Sequence, residues 1–333
     1  MVEHLSLADV ERLIARGRRI HGAAAVLLPH RPDGTPDPDA FAEMVAFVSR
    51  QGLTPAVNMD TGYGELLTPA QRHDLLRRAA QVLSGRPFIA GVYVDPQSAD
   101  LSDAYRRGAD EIRQLGGTPI LFPSPRLKAL DVTEQRAVFR RVASGGGPLL
   151  AFELSPAFSG AGFLFPDELF REVLELPAFA GLKHSSLSRR LEWRRLALRN
   201  EVREGFRIYT GNDLAIDMVM YGSDYLLGLA AFAPDAFAIR DTLWETGDAR
   251  FFELNDVLQY LGQFAFRPPV PAYKHSAAQF LHLRGLVPSD TPHPRGARRP
   301  ESDRAVLEEI ASRLQRLLAT LQDVTHRQRP AGS

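Results

Sequence analysis

The chain has 333 residues, enough for one large barrel or two smaller domains, and its 40 basic and 40 acidic residues cancel, so no net field draws it to nucleic acid or an anionic membrane. The absence of cysteine excludes disulfides, a thiol nucleophile and thiolate metal ligation. No apolar run reaches the roughly 18–20 residues that span a bilayer, and Met1 to Val10 reads as an acidic amphipathic helix start rather than a signal peptide, so a cytoplasmic protein is expected.

The first element is a helix over Ser6–Arg18, capped by Ser6, with Val10, Leu13 and Ile14 on one face. Gly22–Leu28 is an apolar run of strand length ended by Pro29, and the helix Pro38–Gln51 follows the turn at Asp33-Gly34. Leu53–Met59 is the second strand, stopping in Asp60-Thr61-Gly62-Tyr63-Gly64, and Thr68-Pro69 opens the next helix. The alternation continues with strands at Pro87–Val94, Thr118–Phe122, Pro148–Leu154, Phe179–Lys183, Phe206–Thr210 and Tyr225–Leu229. The helices between and after them cover Asp100–Leu115, Thr133–Ala143, Asp167–Leu174, Leu191–Val202, Leu214–Tyr221 and Pro234–Trp244.

Strands apolar on both faces, each separated from the next by one helix, predict a parallel sheet under a helical layer. Eight such units in about 220 residues predict an α/β fold, a closed (β/α)8 TIM barrel. A doubly wound open sheet is the runner-up, and no Gly-x-Gly-x-x-Gly follows the first strand to favour it. The predicted organisation is an N-terminal helix (1–21), the barrel (22–244), a C-terminal helical extension (245–324) and a disordered tail (325–333). Helices are expected in the extension at Ala249–Phe264, Ala272–Leu283 and Glu301–Leu321, with a Pro-, Gly- and Arg-rich loop over Val287–Pro300.

Active sites of such barrels lie at the C-terminal ends of the strands. The chain has only three lysines, Lys128, Lys183 and Lys274, among its 40 basic residues, and Lys183 ends the sixth strand. Where charge alone is wanted the chain uses arginine, so this position asks for an amine. A lysine in a dry pocket attacks carbonyls once its pKa falls from about 10.4 toward neutrality. The competing reading is a buried ion pair with Asp60 or Glu153, which raises the pKa instead. Lys183 is read as the only amine in the ring, and Lys274 as structural. Asp60 reads as an acid/base or a loop cap, Glu153 as a catalytic group or an ion pair, and Thr61-Gly62 as an anion cradle or a plain turn. Tyr63 reads as a phenol donor or loop packing, and no metal is expected at His184 or His275.

Gly181-Leu182-Lys183-His184-Ser185-Ser186 resembles the Gly-x-Lys-Asp-Ser-Ser strand of the dihydrodipicolinate synthase / N-acetylneuraminate lyase family. The family's opening Thr-Pro…Asp-Gly-x-x-Asp is similar to Leu28-Pro29 with Asp33-Gly34 and Asp37, and its Thr-Thr-Gly-Glu…Leu-Ser to Asp60-Thr61-Gly62 with Leu67-Thr68. Thr210-Gly211-Asn212-Asp213 with Tyr221-Gly222 and Pro269 to Lys274 resemble later segments, so the likeness spans roughly residues 22–320. It implies a class I aldolase-type barrel in which Lys183 forms the Schiff base with a small 2-oxo acid or related carbonyl compound, without a cofactor. A homodimer or homotetramer is expected.

The departures are equally specific. The family's relay tyrosine in Tyr-Asn-x-Pro is replaced in Phe152-Glu153-Leu154-Ser155, its first Thr of Thr-Thr-Gly by Asp60, and its Pro-Tyr-Tyr by Pro123-Ser124-Pro125. The arginine that holds the second substrate's carboxylate aligns with Ala157. The lysine is kept and the relay is gone, so a working dihydrodipicolinate synthase is not expected. The expected catalytic set is Lys183, Asp60 and Glu153, with Thr61, Gly62, Tyr63, Phe152, Gly211 and Leu227 binding substrate. The alternatives are a non-catalytic binding barrel, and an isomerase or hydrolase in which Lys183 only holds an anion.

Overall fold

All but one of the strands are shorter than the apolar runs that announce them, because ladder pairing stops before the buried segment does; the exception, the sixth, runs on to Ser185. In the computed structural model, which describes residues 5–321, the chain runs α1 (Leu7–Arg12), β1 (Gly22–Ala25), α2 (Pro38–Arg50), β2 (Thr54–Val57), α3 (Pro69–Leu83), β3 (Ile89–Val92), α4 (Leu101–Gln114) and β4 (Thr118–Leu121). It continues through α5 (Pro125–Ala129), α6 (Val132–Ala143), β5 (Leu149–Leu154), α7 (Asp167–Glu175), β6 (Phe179–Ser185), α8 (Arg189–Val202), β7 (Arg207–Thr210), β8 (Asp224–Leu227) and α9 (Pro234–Glu245). Three further helices follow, α10 (Arg250–Ala265), α11 (Tyr273–Leu283) and α12 (Asp303–Thr320). The tail expected over 325–333 lies outside the described residues.

The eight strands close in sequence order, every neighbour pair parallel, with β8 returning to β1 through Gly22↔Tyr225 and Ala24↔Leu227. This is the predicted (β/α)8 barrel. Alternation sorts the side chains. Ala23, Ala25, Ala56, Ile120, Phe152, Tyr209 and Leu226 fill the interior, while Ala24, Val57, Leu182, Ile208 and Leu227 pack outward against the helices.

Three local expectations change. The first helix stops at Arg12 rather than Arg18. Ala15 gives its N–H to Met220 and takes the Trp244 indole N–H, and Gly17 turns at φ 67°, so tertiary bonds claim the backbone that would continue the helix. Leu214–Tyr221 is not an α-helix but a 3-10 turn over Ile216–Tyr221, ended by Gly222 at φ 98°. Its first N–H is taken by Gln259 of α10 at 2.9 Å, so an α10 side chain caps the segment. The loop after β4 contains α5, where Ser124 caps Leu127 N–H at 3.1 Å and Pro125 occupies the first turn.

Beyond α9 the chain turns back over the C-terminal end of the barrel. Tyr273, at the head of α11, lies flat on Phe266 with ring centroids 4.3 Å apart. Arg299 holds the predicted 287–300 loop to the end of α10 through the carbonyls of Ala265 and Arg267. Arg295 of the same loop donates to Leu66 O at 2.9 Å. Among the described residues no helix is long and apolar enough to cross a membrane.

Candidate active site

The mouth of the barrel is organised by a register shift. Between Leu149 and Leu150 the β5–β6 ladder slips, so that Leu150 faces Gly181 and Phe152 faces Lys183. Beyond the slip Leu182 and His184 point to the helices, and Lys183 and Ser185 point inward. Lys183 Nζ lies 4.5 Å from the Phe152 ring centroid. Its stem passes over Gly211, where a Cβ would come within 2.8 Å of Lys183 Cε and 2.0 Å of Ser185 Oγ. Gly211 therefore seats the lysine, because any side chain there would displace Lys183 and Ser185.

Lys183 is buried, and among the described residues its amine has no hydrogen-bond or ion-pair partner. Burial lowers its pKa to about 8, against the opposing pull of the Asp213 and Asp60 carboxylates. Asp213, just past β7, is the complementary group. Burial raises it to about 7, opposed by the Leu229 N–H that its Oδ1 accepts at 2.7 Å and by Lys183. Ser185 Oγ, beside the amine, is buried without a partner.

Asp60 does not pair with Lys183. Lys274, reaching in from α11, donates to Asp60 Oδ1 at 3.0 Å, and Tyr273 OH donates to Oδ2 at 2.7 Å. Tyr273 OH also lies 3.0 Å from Thr61 Oγ1. Lys183 is thus not the only amine at the mouth; Lys274 is a second one, bound to the Asp60 carboxylate. Neither Asp60 nor Glu153 is the ion-pair partner that the competing reading of Lys183 requires.

Four expected site residues are placed elsewhere or occupied otherwise. Glu153 follows inward-facing Phe152, so alternation turns it outward. It accepts from Arg195 at 3.0 Å through both oxygens, from His184 Nδ1 and from Phe165 N–H at 2.9 Å. Burial alone would raise its pKa, but Arg195 and His184 override that and hold it well below the usual carboxylate range. Leu227 sits on the outward face of β8, opposite Ala24, and Leu226 is the inward residue. Of the Thr61-Gly62 cradle, Gly62 commits its N–H to Met59 O at 3.1 Å, so that amide closes a turn, as does the Tyr63 N–H on Asp60 O at 2.9 Å. A Cβ on Gly62 would meet Val26 O at 3.0 Å, which is why the loop has glycine there. The Tyr63 ring packs with His30 and His293 at centroid distances of 5.3 and 5.2 Å, as loop packing.

Phe152 does line the mouth, in an aromatic wall. Its ring meets Phe122 edge-on at 5.0 Å, and Phe122 stacks on Tyr93 at 4.4 Å. Sequence alone assigns no role to Asp213, Tyr273 or Tyr93, and it marks Lys274 as structural without its partner Asp60. Asp213 carried a signal, its place in the segment after the seventh strand. Tyr273 and Lys274 stand more than 200 residues from Asp60 and Thr61, and nothing local announces that meeting. A cavity of about 1210 Å³ opens at the opposite, N-terminal end of the barrel, lined by Arg19, Arg50 and Arg207 among others. It is lined by no lysine.

No protein-family model matches the chain, and no curated protein matches it. Solved structures do match in fold. A prophage protein of the dihydrodipicolinic acid synthase family from E. coli, solved in complex with pyruvate, aligns with TM-score 0.76 at 17% identity, covering 89% of this chain and 98% of its own. Dihydrodipicolinate synthase from Agrobacterium tumefaciens aligns with TM-score 0.75 at 21% identity, covering 92% and 99%. That from Thermotoga maritima aligns with TM-score 0.74 at 16% identity, covering 89% and 98%. The likeness expected from the Lys183 segment is thus present as a likeness of fold over most of the chain.

Proposed function

We propose that the chain is a lyase of the Schiff-base aldolase type, acting through Lys183 on a small 2-oxo acid or related carbonyl compound. The observation that carries this reading is the placement of Lys183: its amine is buried against the Phe152 ring with no hydrogen-bond or ion-pair partner among the described residues, where burial lowers its pKa to about 8 while raising that of the Asp213 carboxyl to about 7. A structural lysine in this position would be expected to hold a carboxylate. Lys183 leaves Asp60 to Lys274 and Tyr273.

In the proposed reaction the Nζ lone pair adds to the carbonyl carbon, and the carbonyl oxygen takes a proton to give a carbinolamine. Water then leaves, with its oxygen drawn from the substrate, and the C=N bond forms. The imine nitrogen withdraws electrons from the adjacent carbon, so a neighbouring C–C, C–O or C–H bond can break or form. Asp213, titrating near 7, is suited to supply and recover the proton of the carbinolamine step. Ser185 Oγ offers the departing hydroxyl a hydrogen bond. The aromatic wall keeps the amine dry, and no cofactor is needed. Phe152 and Ala157 stand where the resembling family has its relay tyrosine and its carboxylate-binding arginine, so the reaction differs from that of dihydrodipicolinate synthase.

Reversible imine formation exchanges the carbonyl oxygen with solvent. In water enriched in oxygen-18, the wild-type protein should label a 2-oxo acid or aldehyde from a broad panel faster than buffer does, and Lys183→Arg should not. If Lys183→Arg labels as well as wild type, the amine is not the nucleophile. If a panel member binds but is never labelled, the barrel is a binding protein that holds its ligand without covalent chemistry.

A further inference from the structure

The reading just given needs a second proton path. Carbinolamine formation is served by Asp213, but breaking a bond at the carbon next to the imine moves a proton on and off carbon. Gly211, beneath Lys183, is the inward position at the end of β7, and the charge of Asp60 across the mouth is felt at the Lys183 amine. The next inward seat, on the adjacent strand, is Gly228. Neighbouring strands lie about 4.8 Å apart, so this seat adjoins the one beneath Lys183 in the same mouth. A Cβ at Gly228 would meet Thr61 Oγ1 at 3.0 Å, Tyr273 Cε2 at 3.2 Å and Phe266 Cζ at 3.3 Å. Two adjacent strand ends thus carry two glycines, one beneath the lysine and one beneath the Thr61–Tyr273 pair.

The hydrogen bonds at that second seat run in one direction. Tyr273 has a single hydroxyl proton, and a carboxylate accepts only, so Tyr273 donates to Asp60 Oδ2 at 2.7 Å. Thr61 is 3.0 Å from the same phenol oxygen, which leaves Thr61 as the donor to Tyr273. Thr61 Oγ1 then keeps its lone pairs for whatever occupies the mouth. Lys274 Nζ, 3.0 Å from Asp60 Oδ1, balances the carboxylate. Thr61, Tyr273 and Lys274 are each at least nine-tenths buried, so water does not compete along the chain.

We infer that Thr61, Tyr273 and Asp60 form a proton relay serving the carbon of the Lys183-bound substrate, with Thr61 as the group that touches it. A proton leaving the carbon passes to Thr61 Oγ1, the Thr61 proton passes to the Tyr273 oxygen, and the Tyr273 proton passes to Asp60 Oδ2. The C–H electron pair stays on the substrate and neutralises the iminium as an enamine. Reversing the three transfers returns the proton to carbon. Tyr273 and Asp60 act through Thr61, and Lys274 keeps Asp60 in place. The phenol comes from α11 of the same chain, on the other side of the mouth from Phe152. The inference rests on Lys183 forming an imine.

The test separates the two claims. Wild-type protein and variants are incubated in D2O with pyruvate and, separately, with propanal. Exchange of the protons next to the carbonyl is followed by NMR, and the Lys183 adduct is trapped in parallel with borohydride. Tyr273→Phe keeps the ring that stacks on Phe266. It should still reach the wild-type extent of trapped adduct while losing carbon-proton exchange by about 10²-fold or more, the usual contribution of a general acid/base. Thr61→Val should show the same split, and it reads the relay if Tyr273→Phe fails to fold. Exchange within a few-fold of wild type in a variant that traps normally overturns the relay and leaves the imine standing. If wild type traps neither probe on Lys183, the imine reading falls and the relay with it. A pure packing defect would lower trapping and exchange together, and that result also counts against the relay.

Discussion

Two ionisable groups set the reactivity of the mouth, and each is shifted by the same burial in opposite directions. Lys183 falls to about 8 because a dry site penalises the ammonium, and Asp213 rises to about 7 because it penalises the carboxylate. The sign of their coupling gives a prediction. A charged Asp213 favours the charged amine, so it holds Lys183 up. Asp213→Asn removes that pull, while its side-chain oxygen still accepts the Leu229 N–H. The pH midpoint of Lys183 adduct formation should therefore move below that of wild type. Initial borohydride-trapping rates across pH 6–10 measure it, and an unchanged or higher midpoint contradicts the assignment. At this scale the lysine was legible, because a chain that prefers arginine had put an amine at a strand end. Tyr273 and Lys274 were not, since their partners are brought to them only by the return of α11 over the barrel.

At the scale of the element, alternation decides which residue of a strand reaches the mouth. Glu153 was read as catalytic from its place at the end of β5, but position along a strand does not give the face. Once Phe152 is inward, Glu153 must face α7 and α8, and the chain supplies Arg195 there. The slip between Leu149 and Leu150 adds a second obstacle: it resets the parity of β6, and no residue pattern announces it. Leu227 was misread for the same reason, one residue past the inward Leu226. The consequence for Glu153 is testable. Glu153→Gln leaves the buried Arg195 guanidinium with only Asp167, 3.0 Å away, as a charged partner. Breaking a fully buried pair from one side costs about 3–5 kcal/mol, so chemical denaturation should show a loss of that size. Trapping at Lys183 should stay at the wild-type level. The depressed pKa of Glu153 means that its contribution is present above the ordinary glutamate value and is lost only as the pH falls through the lower folded value. The gap between wild type and variant should therefore persist to mildly acidic pH. A variant as stable as wild type but unable to form the adduct would return Glu153 to the catalytic set.

The architecture of the whole molecule was legible because eight apolar runs alternating with helices admit few closed solutions. The role of the C-terminal helices was not: periodicity announces α10, α11 and α12 but not the surface they cover. α11 reaches over the mouth, and α12 packs on α10 and α11 behind it. α11 brings a phenol and an amine to the Asp60 end of β2, and the 287–300 loop lies beside Tyr63 through His293 and Gly296. A phenol from outside the barrel, that of Tyr273, thus stands at the mouth that Phe152 lines. The same geometry yields a clean measurement, because the chain has only three lysines in different states. Lys128 is exposed and donates to Gly160 O, Lys274 is held by Asp60, and Lys183 is buried without a hydrogen-bond or ion-pair partner among the described residues. Incubation with a panel of 2-oxo acids and aldehydes, reduction with borohydride and peptide mapping by mass spectrometry should give one adduct, on Lys183 alone, with the mass of the carbonyl compound less water plus two hydrogens. An adduct confined to Lys274 or Lys128, or none across the panel, would contradict the Schiff-base account.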